Sequence, residues 1–425
     1  MIKQLKLKNG LKVVCFPLKG TRALSVMALL PIGARYESAD MSGASHFVEH
    51  LMFDGTIKRP TSLDISRLLE SEGADYNAMT NKEYTGYYVK INSERAQIAF
   101  DLLSDMLFNA KFEQKEVDKE KGVIVEELRM YEDNPSMAID LLFDKIVFGD
   151  HPLGWDVGGT AQTVRALSRE KLWSHYQKYY QPGNMVLVVA GCLPDKKKLK
   201  KYLDYFNVKS KIKFKPLKDQ YQHWTWPKKL PLEKRVETQI RKLDQAQVML
   251  GFPGLDYGHK DRYAVAVLTN ILGVGMSSRL FVEVREKRGL AYMIRADHVG
   301  LRDCGIFQIQ AGLDPARLAE ALKVIKQELK KISSEKVSVN ELKEAKSAII
   351  GRMVLGFEDS SAVASSYAKQ FWFDNRLWTQ KEVFAKVRAV TSNDILRVAK
   401  NIFVPEQIRL ATIGSFDKKE ILKMI

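Results

Sequence analysis

The stretch from Val164 to Gly191, VRALSREKLWSHYQKYYQPGNMVLVVAG, aligns without a gap on Val387 to Gly414, VRAVTSNDILRVAKNIFVPEQIRLATIG. The two prolines, Pro182 and Pro405, set the offset at 223 residues, and in a chain of 425 that self-match limits the possible architectures more than any composition does. Both copies run from a Ser or Thr helix cap through a helix to a proline turn and an apolar strand. SVMALLPIG from Ser25 pairs with QVMLGFPGL from Gln247, and INSERAQIAF from Ile91 with LDPARLAEAL from Leu313. Two copies of one unit are therefore expected, 1–205 and 237–425. The segment 206–236 between them is basic, carries Pro216, Pro227 and Pro231, and has no sustained period, so it reads as the connection. Each unit begins with strand-like alternation, continues with helices and returns to strands. The expected fold class is α+β, each unit a mainly antiparallel or mixed sheet with helices packed on one side.

The first unit holds a concentration of chemistry. His46, Phe47, Val48, Glu49 and His50 read H-x-x-E-H inside a segment, Gly43 to Phe53, that is otherwise apolar. On a helix at about 100° per residue, His46, Glu49, His50 and Phe53 share one arc, while Ala44, Phe47, Val48, Leu51 and Met52 cover the rest. A buried helix with one polar stripe is predicted. Imidazoles at i and i+4 can converge on one ion, and zinc takes neutral His nitrogens in a tetrahedral shell that keeps a position open for water when catalytic. Glu49, beside His50 but not a ligand, is the predicted general base.

A third ligand is expected on the helix around Glu113 to Tyr131. There Val117, Glu120, Ile124, Glu127, Leu128 and Tyr131 fall on one arc, and Lys115, Asp118, Lys119, Glu126 and Arg129 on the opposite one. Two carboxylates on a core-facing stripe are costly unless paired or bound to a metal. Glu127 is assigned as the third ligand and Glu120, two turns earlier, as the acceptor that orients a ligating His. One zinc ion per chain is expected, because Val267 to Leu272 and Ile349 to Met353, the counterparts in the second copy, contain neither His nor carboxylate.

These residues resemble the pitrilysin/insulinase family of zinc metallopeptidases, the inverzincins. The length is similar to that of its small two-unit members, related to mitochondrial processing peptidase subunits. The 76 residues between His50 and Glu127 agree with that family's pattern, and the resemblance covers both halves. It implies more than the spacing does. Asn77, Ala78, Met79 and Thr80 look like the family's N-A-x-T edge strand, with Asn77 and Ala78 binding a peptide substrate as an added strand. Ala74 departs from the pattern where many relatives have a second glycine. Arg285 and Tyr292, within VREKRGLAY, match the Arg and Tyr that relatives use to contact substrate; taken alone they are a surface helix residue and a strand residue after a helix stop at Gly289. The implied activity is zinc-dependent endopeptidase cleavage of unfolded peptides in an enclosed chamber. Larger relatives carry four units in one polypeptide, so a homodimer with a clamshell shape is implied here.

Composition narrows the alternatives. The apolar runs, such as Val26 to Ile32, fall short of the roughly 18 residues of a membrane span, and Met1 to Val14 lacks a signal-peptide h-region, so a cytoplasmic protein without a membrane partner is expected. Cys15, Cys192 and Cys304 are isolated, which predicts reduced thiols. The formal charge of +16 gathers in Lys196 to Lys201 and Lys209 to Arg235; a nucleic-acid partner is the weaker reading, since no recognition motif accompanies it. A presequence-processing enzyme and a non-catalytic scaffold subunit of the same fold are the remaining alternatives. The scaffold needs no full ligand set, and all four positions of this one are filled.

Overall fold

Strands form where the repeat places them. In the computed structural model, which describes residues 2–209, 220–227, 229–374 and 376–424, the first sheet comprises β1 (Lys3–Lys6), β2 (Lys12–Pro17), β3 (Ala23–Leu30), β4 (Asp75–Thr80), β5 (Thr85–Asn92) and β6 (Val186–Gly191). The second comprises β7 (Val236–Ile240), β8 (Ala246–Gly254), β9 (Ala291–Gly300), β10 (Gly305–Leu313) and β11 (Arg409–Gly414). Strand orders are β1-β2-β6-β3-β5-β4 and β7-β11-β8-β10-β9. The pairs β2–β6 and β7–β11 are parallel and all the others antiparallel. Apart from the β1 hairpin the two sheets have one topology, with the matched segments lying on β6 and β11, β3 and β8, and β5 and β10. The chain is thus an α+β protein of two homologous sheets. Pro216, assigned above to the connection, and much of the basic stretch from Lys209 lie outside the described residues.

Four helices carry the rest of the account: α1 (Ala44–Leu51), α2 (Gln114–Asp133), α3 (Pro135–Phe148) and α4 (Ser360–Phe373). The compact units are not contiguous halves. One comprises Met1–Arg129, Trp155–Gln222 and Val354–Leu377; the other Met130–Gly154, His223–Met353 and Trp378–Ile425. Each sheet packs the helices of its own half on one face. The opposite face is taken by a single helix from the other half of the chain.

In the first unit α4 lies on the second face of the sheet. Its Val363, Ala364, Tyr367 and Trp372 bury against Val14, Met27, Leu29, Val186 and Val188. Burying each large apolar side chain there contributes roughly 1.5–3 kcal/mol. Asp359 caps α4 by accepting from Ser361 N at 2.8 Å and Ala362 N at 2.9 Å, and it pairs with Lys90 on β5. Trp372 Nε1 donates to Leu29 O at 3.1 Å, and Ser25 Oγ meets Ser360 Oγ at 2.7 Å.

In the second unit α3 has the equivalent place. Asn134 caps it, Pro135 opens it, and Ile139, Phe143, Val147 and Phe148 pack on Met249, Ile306, Ala411 and Ile413. The fit is close at β8: a Cβ on Gly251 would stand 2.4 Å from Phe143 Cζ. Coverage on both faces explains why β3, ALSVMALL, and β6, VLVVAG, are apolar almost throughout instead of alternating.

Candidate metal centre

The predicted polar stripe is where α1 leaves the core. Ala44, Ser45, Phe47, Val48 and Leu51 are buried, whereas His46, Glu49 and His50 are partly exposed along one side. The His46 and His50 rings stand 4.7 Å apart between centroids. Helix α2 runs alongside, with Val117, Glu120, Ile124 and Val125 buried. Tyr131, expected on the same inner stripe, is exposed instead, because the inward face ends near Leu128.

Glu127 and Glu120 meet different nitrogens of the histidine pair. Glu127 Oε2 lies 3.3 Å from His50 Nε2 and 3.6 Å from His46 Nε2. Glu120 Oε2 takes the other ring nitrogen, His50 Nδ1, at 3.0 Å. With an ion on Nε2, that bond would keep the ring proton on Nδ1. Among the described residues, His46, His50 and Glu127 are the one group of three or more His, Cys, Asp or Glu side chains with donor atoms close enough for a common ion, all within 4.8 Å.

The set fits a zinc ion. Two ligands at roughly 2.0–2.1 Å on a tetrahedral centre stand about 3.3–3.4 Å from each other, close to the two Nε2–Oε2 separations. Burial, against the pull of Glu127 and together with the neighbouring His50, lowers the His46 pKa to about 4, so this imidazole is neutral as a ligand must be. Burial also works against a charged His50, but hydrogen bonds to Glu120 and Glu127 outweigh it and lift that pKa to about 9. His46 Nδ1 is buried and makes no hydrogen bond among the described residues.

Glu49 faces β4 across this site. Burial raises its carboxyl pKa, opposed by the hydrogen bond that Thr80 Oγ1 donates to Glu49 Oε2. Among the described residues β4 pairs with β5 alone and forms an edge of the first sheet, so Asn77 and Ala78 sit on an edge strand. Asn77 Oδ1 accepts from Ala78 N at 2.8 Å. Arg285 and Tyr292 belong to the second unit. Arg285 lies in a π-helical turn, Phe281–Glu286, Gly289 follows with φ +57°, and Tyr292 is the second residue of β9, with 71% of its surface exposed. The guanidinium stands 5.4 Å from the Tyr292 ring centroid, which brings this pair together.

Three residues make contacts at the site that the sequence did not assign to them. Glu37 is buried before α1 and accepts Gly43 N at 2.8 Å and Ser45 N at 2.7 Å, anchoring the helix start where Gly43 has φ +94°. Nothing larger than Gly fits at 43, since a Cβ would stand 2.6 Å from Gly158 O. Thr80 is the second. Lys119 is exposed as expected, yet its ammonium reaches Asp54 at 3.0 Å and Glu120 Oε1 at 3.4 Å, backing the carboxylate that holds His50. None of these pairs has a periodic signature. Only the position of Thr80 at the end of Asn77–Thr80 gave a signal.

Residues 14–161 match the family model described as insulinase, peptidase family M16, and residues 166–349 match that of the peptidase M16 inactive domain. An uncharacterised zinc protease of Streptomyces coelicolor is 34% identical over 423 residues, covering 100% of this chain and 92% of that protein. The uncharacterised zinc protease YmxG of Bacillus subtilis is 32% identical over 416 residues, covering 97% and 98%. The crystal structure of a protease from Helicobacter pylori superposes with a TM-score of 0.88 at 26% identity, over 97% of this chain and 99% of that one.

Proposed function

The chain belongs to peptidase family M16, the pitrilysin/insulinase family, as one of its small members, and from that premise we propose that it is a zinc-dependent endopeptidase acting on extended, unfolded peptides. The observation that carries the reading is the convergence of His46 Nε2, His50 Nε2 and a Glu127 oxygen beside a carboxylate, Glu49, that is not among the ligand atoms. A zinc ion bound there supplies Lewis acidity to the scissile carbonyl and to water.

The chain's own residues do the remainder. His46 and His50 would hold the ion through their Nε2 atoms, and Glu120 holds the His50 ring by Nδ1 so that the Nε2 lone pair would keep its direction. Glu49 takes a proton from the attacking water as its oxygen bonds to the carbonyl carbon, then delivers it to the amine nitrogen as the C–N bond breaks. The open edge of β4, at Asn77 and Ala78, receives the substrate main chain as an added strand. Arg285 and Tyr292 contact the peptide and stabilise the developing oxyanion.

A homodimer of this 48.5 kDa chain goes with the proposal and would double the mass in light scattering. A cytoplasmic location goes with it as well; no described helix is long and apolar enough to cross a membrane. Zinc content and cleavage of a quenched peptide, measured on the parent and on Glu49→Gln, test the reading. The variant should keep one zinc per chain and lose activity by about 10²–10⁴-fold, the usual contribution of a general base. Cleavage as fast as the parent's would refute it.

A further inference from the structure

Thr80 Oγ1 makes the one hydrogen bond that the Glu49 side chain forms among the described residues. The other oxygen, Oε1, has no protein partner there. Thr80 also lies on the strand that offers its edge to substrate. Asn81 N donates to Tyr84 O at 2.8 Å, so by the alternation of an antiparallel ladder Asn77 and Met79 turn their main-chain groups toward β5, and Tyr76, Ala78 and Thr80 turn theirs toward the open side. The side chains of those same three residues share the face toward α1, where the Tyr76 ring stands 6.3 Å from Phe53.

We propose that Thr80 is a positioning residue for the general base, its hydroxyl holding Glu49 by Oε2 so that Oε1 addresses the attacking water, and that it thereby links occupancy of the β4 edge to the orientation of the base. The proposal rests on the reading of Glu49 as base. Thr80 keeps its own proton throughout; the proton that moves is the water's, taken by Glu49 and passed to the leaving amine. A residue with only a structural part in β4 would behave otherwise. Valine has the shape of threonine and suits a strand at least as well, so on that view its introduction would leave catalysis alone.

The test uses the zinc-loaded full-length chain and a quenched peptide, with kcat and KM for the parent, Thr80→Val, Thr80→Ser and Glu49→Gln, beside zinc content, thermal midpoint and crystal structures of the parent and Thr80→Val. The proposal expects Thr80→Val to lose about 10- to 100-fold in kcat, the scale of a small misplacement of a reacting group, with KM within about twofold. It expects full zinc content, an unchanged midpoint, a displaced Glu49 carboxylate, and recovery to within about fivefold in Thr80→Ser, which keeps the hydroxyl. Parental kcat in Thr80→Val together with an inactive Glu49→Gln overturns the positioning role and leaves the base intact. An active Glu49→Gln removes the base and the proposal with it. Loss of zinc or of thermal midpoint in Thr80→Val, or a Thr80→Ser as slow as Thr80→Val, also overturns it in favour of a structural role.

Discussion

Replacing Glu37 by Gln should remove a pH dependence from the stability of the unit that carries the metal centre. Both carboxylate oxygens of Glu37 are engaged at the start of α1, one by Gly43 N and the other by Ser45 N. Burial raises the pKa from an ordinary 4.5 to about 7, against the lowering effect of those bonds. The folded chain therefore holds the proton more tightly than the unfolded chain does. Its contribution to stability is complete below pH 4.5 and is lost as the pH rises through about 7. Two and a half pH units correspond to roughly 3 kcal/mol, at about 1.4 kcal/mol each. In a body of this size that is about 6–12 °C of thermal midpoint. The amide does not titrate and keeps one acceptor oxygen for two donors, so Glu37→Gln should be the less stable protein at pH 4.5 and draw level or pass the parent near pH 7.5. Midpoints of the metal-free parent and variant, measured by circular dichroism across that range, give the difference directly, because groups that titrate in both proteins cancel. A gap that stays constant within about 1 °C would refute the assignment of a buried, proton-holding carboxylate at this helix start.

Further outcomes follow from other contacts. Glu120→Gln, which keeps an oxygen for His50 Nδ1 but loses the charge, should weaken zinc binding about tenfold, and Glu120→Ala about a hundredfold, in competition with a chromophoric chelator; equal affinities would deny Glu120 its orienting part. Asp359→Ala removes the cap of α4 and should cost about 1 kcal/mol, seen as faster amide exchange in 360–373, and unaltered exchange would contradict it. Phe143→Ala empties a fully buried place between α3 and β8 and should destabilise the second unit by about 3–5 kcal/mol; a loss below about 1 kcal/mol in calorimetry would show that α3 does not hold that sheet face.

Much of the site was legible because its spacing is local. His46 and His50 are one helical turn apart, and Glu120 and Glu127 two turns, so the period of the helix alone brings each pair to one face. The meeting of α1 with α2 needed only the cost of burying carboxylates without a partner. The residues left out of that reading are those whose partners are distant in the chain and carry no period. Glu37 acts from a loop, Thr80 reaches across from another element, and Lys119 is long enough to return from the exposed side of α2 to Asp54 and Glu120.

The same distinction holds for the fold. A repeat of 223 residues and alternating strands pointed, without coordinates, to two copies of one α+β unit, and the H-x-x-E-H segment placed the candidate ligands in the first. Helices were expected on one side of each sheet, and the nearly uniform apolarity of β3 and β6 goes with a second face that is covered as well. Which helix covers the second face was decided by tertiary packing. Helices α3 and α4 are both apolar enough to be buried on a sheet, and the choice between own and opposite sheet rests on the fit of side chains such as Phe143 over Gly251 and Trp372 at Leu29. Close packing is a property of surfaces in three dimensions and leaves no periodic trace in one.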